Sequence, residues 1–200
     1  VPEALSIPAA AAAPVLELPT LTIESVPMHI AVLRIWKPHA EHFSALAEVL
    51  GFPWPAAPNQ VSGTDTRVLW LAPDSWAIVG PAATSSREWA AQALGERLHH
   101  VSVVTEGRAV FTLRGPLARA LLSKDCSLDL HPRKFGAGQC AQSLLAQVPI
   151  LLEPLAVAEA HAVDYRLYVD ISYVGYLRAW FADAAVEYSA TLSDRIAGVS

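Results

Sequence analysis

Hydrophobic and polar residues change their period several times along this chain, and each change marks an element. From Met28 to Ile35 (MHIAVLRI) the alternation suits a β-strand. Pro38 then opens a predicted helix, HAEHFSALAEVL, stopped by Gly51, with proline at the start and glycine just past the end. Residues 52–64 (FPWPAAPNQVSGT) are a proline-rich loop holding Trp54. Arg67–Leu71 and Trp76–Val79 read as strands joined by the turn Ala72-Pro73-Asp74-Ser75. A helix is predicted over Ser86–Leu98, with Ser86 as its cap and Trp89, Ala90, Ala93 and Leu94 on one face.

Val101–Val104 and Ala109–Leu113 form the next strand pair, and Leu117–Ser123 a short helix. After the loop KDCSLDLHPRKFGAG come strands at Cys140–Leu145, Val148–Leu152 and Tyr165–Val169. The last helix, Tyr173–Val186, places Val174, Leu177, Trp180, Phe181 and Ala184 at helical spacing. Strand pairs followed by single helices occur twice. That order predicts an α+β fold with a mainly antiparallel sheet and helices on one side. A doubly wound parallel sheet needs a helix between successive strands, and this chain has too few.

The first segment, VPEALSIPAAAAAPVLELPT, keeps no period. Pro2, Pro8, Pro14 and Pro19 forbid a continuous helix. Yet Val15, Leu16, Leu18, Leu21 and Ile23 are too apolar for a freely solvated tail. Residues 1–27 are therefore expected to be an extended arm docked on a partner. Residues 28–190 would form one α+β domain and 191–200 a C-terminal tail. Trp54, between prolines in a loop, is the other expected partner contact, since aromatic residues are enriched at interface hot spots. Trp70, Trp76, Trp89 and Trp180 sit in periodic elements and are expected in the core.

Composition narrows the classes. With 53% hydrophobic and 16% charged residues, 200 residues exclude disorder across the whole chain. A net charge of −5 excludes a general binder of nucleic-acid phosphates. Only Lys37, Lys124 and Lys134 are lysines, a scarcity that suits a surface partly covered by a partner. Cys126 and Cys140 cannot build a disulfide framework. The stretch 135–152 carries glycines, glutamines and Pro149, and fails as a membrane span. No charged region precedes an apolar run near the start, so a cytoplasmic, thiol-reduced protein is expected.

Reactive motifs are scarce. G-x-G-x-x-G, the P-loop pattern and G-x-S-x-G do not occur. His39 and His42, with Glu41 between them, could share a helix face, but a solvated first turn explains them as well. His99-His100 suits a helix C-terminus. In Asp125-Cys126-Ser127-Leu128-Asp129-Leu130-His131, two nearby aspartates disfavour a Cys126 thiolate. Cys126, His131 and Cys140 lack the C-x-x-C or H-x-x-x-H pair that anchors zinc. Asp129 and His131 are expected to tie down a loop by hydrogen bonds. No catalytic, cofactor-binding or metal-binding residue is assigned. The chain itself is expected to be colourless and metal-free.

One stretch is specific. EGRAVFTLRGPLARALLSKDCSLDLHPRKFGAGQCAQSLLAQVPILL, followed by DYRLYVDISYVGYLRAWFADAA, resembles the gamma subunit of heterotetrameric sarcosine oxidase. The earlier LAPDSWAIVG fits too, so the likeness runs from roughly 66 to 186. That family is similar in fold to the folate-binding domain of the glycine-cleavage aminomethyltransferase, whose L-x-G-P-x-A pattern is matched by LRGPLARALL. The superfamily's Tyr-Thr-Gly-Glu folate motif is missing here. In its place stands AQVPILLEPLAVAEAHAVDYRLYV. The Lys-Gly-Cys-Tyr-x-Gly-Gln-Glu signature of related iron–sulfur maintenance proteins is absent as well.

The resemblance implies a non-catalytic subunit that supports assembly with alpha, beta and delta partners. The complex converts sarcosine, tetrahydrofolate and oxygen to glycine, 5,10-methylenetetrahydrofolate and hydrogen peroxide. Its FAD, FMN and NAD belong with alpha and beta and its zinc with delta, leaving none for gamma. Two alternatives stay open: a gamma-type subunit of a related N-methyl amino acid dehydrogenase or oxidase, and a stand-alone folate-binding protein. The missing motif counts against the second.

Overall fold

The computed structural model describes residues 13–156 and 163–189. Two antiparallel sheets carry the fold. The strands are β1 (Ala13–Leu18), β2 (Leu21–Ser25), β3 (Ile30–Ile35), β4 (Val61–Gly63), β5 (Arg67–Ala72), β6 (Ser75–Val79), β7 (His99–Val103), β8 (Arg108–Arg114), β9 (Ala141–Leu145), β10 (Val148–Leu155) and β11 (Asp164–Asp170). The helices are α1 (Ala40–Leu50), α2 (Ser86–Leu94), α3 (Ala118–Leu122) and α4 (Val174–Ala184). One sheet has the order β1-β2-β8-β11-β10-β9 and the other β4-β5-β6-β3-β7.

The antiparallel α+β class agrees with the sequence, but two sheets stand where one was expected. Each carries its own helices on one face. Strand alternation shows how β6 serves two cores: Trp76 and Ile78 face α1 and α2, while Ala77 and Val79 face the other sheet. In the six-stranded sheet, Phe111, Leu113, Leu167 and Val169 pack with Leu121, Leu177 and Phe181 of the helices. Val110 and Tyr168 point the other way and meet Ile30, Leu69 and Val79 across the gap between sheets. The layers run helices, sheet, sheet, helices.

The two halves share one topology. A strand (β3 or β8), a helix, three strands and a second helix follow in order, and in each sheet those four strands are arranged alike. The position beside β3 is filled by β7, which follows α2. The matching position beside β8 is filled by β2, from the N-terminal end.

That finding corrects the docked arm. From Ala13 onward it is a hairpin of the chain's own sheet, with Ile23 paired to Leu113 of β8. Leu21 and Ile23 are fully buried in that core, and Val15, Leu16 and Leu18 pack half-buried against it. Residues 1–12, and the expected tail at 191–200, lie outside the described residues. Gly115 of the L-x-G-P pattern fixes the hairpin's approach. Its φ is +102°, and a Cβ there would stand 2.6 Å from the Thr20 carbonyl oxygen. Only glycine lets the two turns meet.

Boundaries moved for local reasons. The helix predicted to Leu98 ends at Leu94, because Gly95 takes φ +58° and its N–H bonds to the Ala91 carbonyl. The cap position belongs to Ser85, and Ser86 instead donates to the Ala83 carbonyl at 2.8 Å. At the β9–β10 turn Ala146 and Gln147 adopt φ +50° and +67°. Such left-handed pairs normally carry Asn-Gly. Replacing Gln147 by glycine is expected to raise stability by about 0.5–1 kcal/mol, since the left-handed penalty outweighs glycine's added chain entropy. A lower urea midpoint would contradict this.

Candidate functional site

Trp54 is not an exposed anchor. It is 6% exposed and lies edge-on to Trp76 and Trp89, with ring centroids 5.4 and 6.5 Å away. The proline loop turns it inward: Pro55 supplies the carbonyl that accepts the Trp76 indole N–H at 2.8 Å. Together with Leu21 and Ile23, three of the six expected partner contacts are thus core residues of this chain. Large apolar side chains that do face solvent lie elsewhere. Trp36 and Leu98 project at one end of β3 and β7, and Ile171, Tyr173 and Tyr176 cluster before and within the first turn of α4.

The histidines and cysteines are scattered. His42 Nδ1 accepts the backbone N–H of His39 at 2.7 Å, with the rings stacked, so this nitrogen is committed to starting α1. In the 125–131 loop, Asp129 accepts the His131 N–H at 3.0 Å and His131 Nδ1 accepts that of Arg133 at 3.2 Å. Both hold backbone. Cys126 and Cys140 pack into different cores. Among the described residues, no three His, Cys, Asp or Glu side chains gather as a metal site.

An open cleft of about 290 Å³ is lined by Lys124, Asp125, Cys126, Ser127, Leu144 and Gln147. The Lys124 ammonium is engaged with Glu187 at 2.6 Å, the Tyr188 ring and the Ala184 carbonyl.

Cys140 is fully buried and donates to the Trp70 carbonyl at 3.4 Å. Burial first, then the negative charge of Glu153, pushes its thiol up to about 12. A thiol reagent should therefore modify half-buried Cys126 in the native chain and Cys140 only as the chain unfolds, with substitution of either tolerated. Labelling of native Cys140 at pH 8 would overturn this. The ordinary thiol value is 9.0, so the unfolded chain loses that proton first as pH rises. The native state should lose stability from about pH 9 upward. Replacing Cys140 by alanine should shrink the fall in melting temperature between pH 8 and 10.5.

The polar group that sequence reasoning missed lies between the sheets. Glu153 of β10 is fully buried, and each of its oxygens is engaged. Arg67 of β5 donates Nε–H to Oε1 from the opposite sheet. Tyr168 of β11 donates its hydroxyl to Oε2 at 2.8 Å, and Arg166 Nη1 lies 3.8 Å from the same atom. Burial, followed by the Glu153 charge, holds the Tyr168 hydroxyl well above its usual range, so it remains a donor. The apolar run predicts a strand ending at Leu152, whereas β10 continues to Leu155. A lone acid at the inward position just beyond that apolar run was the available signal.

The sarcosine oxidase gamma subunit family model matches residues 38–187. The chain belongs to this family. Gamma-type relatives include the sarcosine oxidase gamma subunit of Corynebacterium sp. strain U-96, 32% identical over 155 residues, 76% of this chain and 73% of that one. The gamma subunit of Corynebacterium sp. strain P-1 is 37% identical over 117 residues, 58% of each chain. Among solved structures, a chain of the heterotetrameric sarcosine oxidase from Corynebacterium sp. U-96, in complex with pyrrole 2-carboxylate, superimposes with a TM-score of 0.74. It is 31% identical, over 84% of this chain and 85% of that chain. The glycine cleavage system aminomethyltransferase T of Bartonella henselae matches with a TM-score of 0.53 at 14% identity, covering 78% of this chain and 44% of that chain. That likeness shows the fold alone. In this chain the L-x-G-P turn at Gly115 receives the N-terminal hairpin, and Glu153, Arg67, Arg166 and Tyr168 all lie inside the matched segment.

Proposed function

We propose that this chain is the gamma subunit of a heterotetrameric, flavin-dependent sarcosine oxidase, and that its part is assembly rather than chemistry. The observation that carries this is its 31% identity, over 84% of its length, to a chain of such a heterotetramer. The relatives are subunits of an oxidoreductase named for sarcosine, so sarcosine is the proposed substrate of the complex. FAD, FMN, NAD and zinc would then sit on alpha, beta and delta partners.

Tetrahydrofolate is a poor fit for this chain. The superfamily's folate motif is missing from the stretch before DYRLYV, and the acid that stands there, Glu153, has both oxygens engaged by this chain's own donors. A cytoplasmic site for the complex accords with two unpaired thiols. No described helix is long and apolar enough to cross a membrane.

Affinity purification of the tagged chain from its native cell, followed by mass spectrometry, tests the proposal. Alpha-, beta- and delta-type subunits should accompany it at equal stoichiometry, with sarcosine-dependent peroxide formation in the eluate. A chain recovered alone, or one that binds tetrahydrofolate by itself at one equivalent, would refute it.

A further inference from the structure

Glu153 is the one carboxylate among the fully buried described residues. Two guanidiniums and a phenol converge on it from β5 and β11, strands of different sheets. One of these groups also has a support of its own. Arg67 Nη1 donates to the Gly63 carbonyl at 3.2 Å, so Arg67 is held at one end independently of Glu153. Arg166 Nε is buried with no hydrogen-bond partner. Arg166 thus keeps one buried N–H unsatisfied while its Nη1 lies 3.8 Å from Glu153 Oε2.

We infer that Arg67, Arg166 and Tyr168 form a preformed carboxylate receptor between the two sheets, with the Glu153 side chain as its tethered ligand. The ligand class is a small planar monocarboxylate, because guanidinium N–H groups and a hydroxyl recognise two coplanar oxygens better than a spherical anion. Glu153→Ala removes one methylene, the carboxyl carbon and two oxygens. Those are the heavy atoms of acetate. The variant leaves two largely buried cations uncompensated, and an acetate that enters restores the missing partner. In the native chain the tethered carboxylate holds the two halves together through Arg67. This inference does not depend on membership of an oxidase complex.

The test uses the full-length Glu153→Ala chain, with thermal unfolding followed in sodium acetate against sodium chloride at equal ionic strength. The midpoint should rise saturably with acetate, by about 3–6 °C at ten times its Kd. Trimethylacetate, too bulky for the vacated space, should give no such rise. Wild-type chain, whose receptor is filled, should show none with acetate, and Glu153→Ala combined with Arg67→Met should lose the response. If the single variant is recovered unfolded, refolding yield with and without acetate becomes the readout, and an acetate-specific gain supports the receptor. An acetate effect equal to that of chloride, the same rise in wild type, or no gain in refolding yield would overturn it.

Discussion

Removing residues 1–27 is expected to unfold this chain, rather than leave a folded domain with weakened assembly. The deletion takes away β1 and β2, and with them Leu21 and Ile23, both fully buried. Burying each of those side chains contributes roughly 1.5–3 kcal/mol. The loss continues into what remains. Ile23 and Ser25 pair with Leu113 and Phe111 of β8, so the deletion opens one edge of that strand and uncovers part of their apolar faces. Gly115 would also face empty space where the Thr20 carbonyl now sits. Together these effects rival the whole net stability of a typical domain, about 5–15 kcal/mol. Circular dichroism of the truncated chain should show no cooperative melt. The double substitution Leu21→Ala with Ile23→Ala should lower the melting temperature of the full chain sharply. A truncated chain that melts cooperatively near the wild-type midpoint would restore the docked arm.

What the sequence revealed was whatever local patterning encodes. The run from Met28 to Ile35 and the stop at Gly51 need only their own neighbours, and both strand β3 and helix α1 are where the pattern placed them. The N-terminal hairpin was hidden because its prolines read as breakers. Pro14 lies in β1, an edge strand paired only with β2, where a missing N–H can be spared. Pro19 sits at the turn between the two strands. Nothing local announces that β2 pairs with β8, whose partner residues lie about ninety positions further along the chain. The same distance hid the polar site, since Arg67 and Glu153 are 86 residues apart. The repeated topology was visible as an alternation of hairpins and helices. The exchange that puts β2 where β7's counterpart belongs could not be, because it is a property of the assembled sheets.

Trp54→Ala should cost about 3–5 kcal/mol of folding stability, in line with truncation of a large buried aromatic. The indole touches Trp76 and Trp89 in edge-on geometry and closes the space between α1, α2 and the five-stranded sheet. Its Nε1 has no hydrogen-bond partner, so the loss is one of packing and not of a polar contact. Trp54→Phe should therefore recover much of the stability, because it keeps an aromatic body and removes an unpaired buried donor. The contrast separates core from interface cleanly. A core residue lowers the melting temperature of the isolated chain when truncated, and affects assembly only through that loss. An interface anchor leaves the isolated chain unchanged and weakens association. Chemical denaturation of the isolated Trp54→Ala chain decides between them, and a midpoint equal to wild type would return Trp54 to the surface.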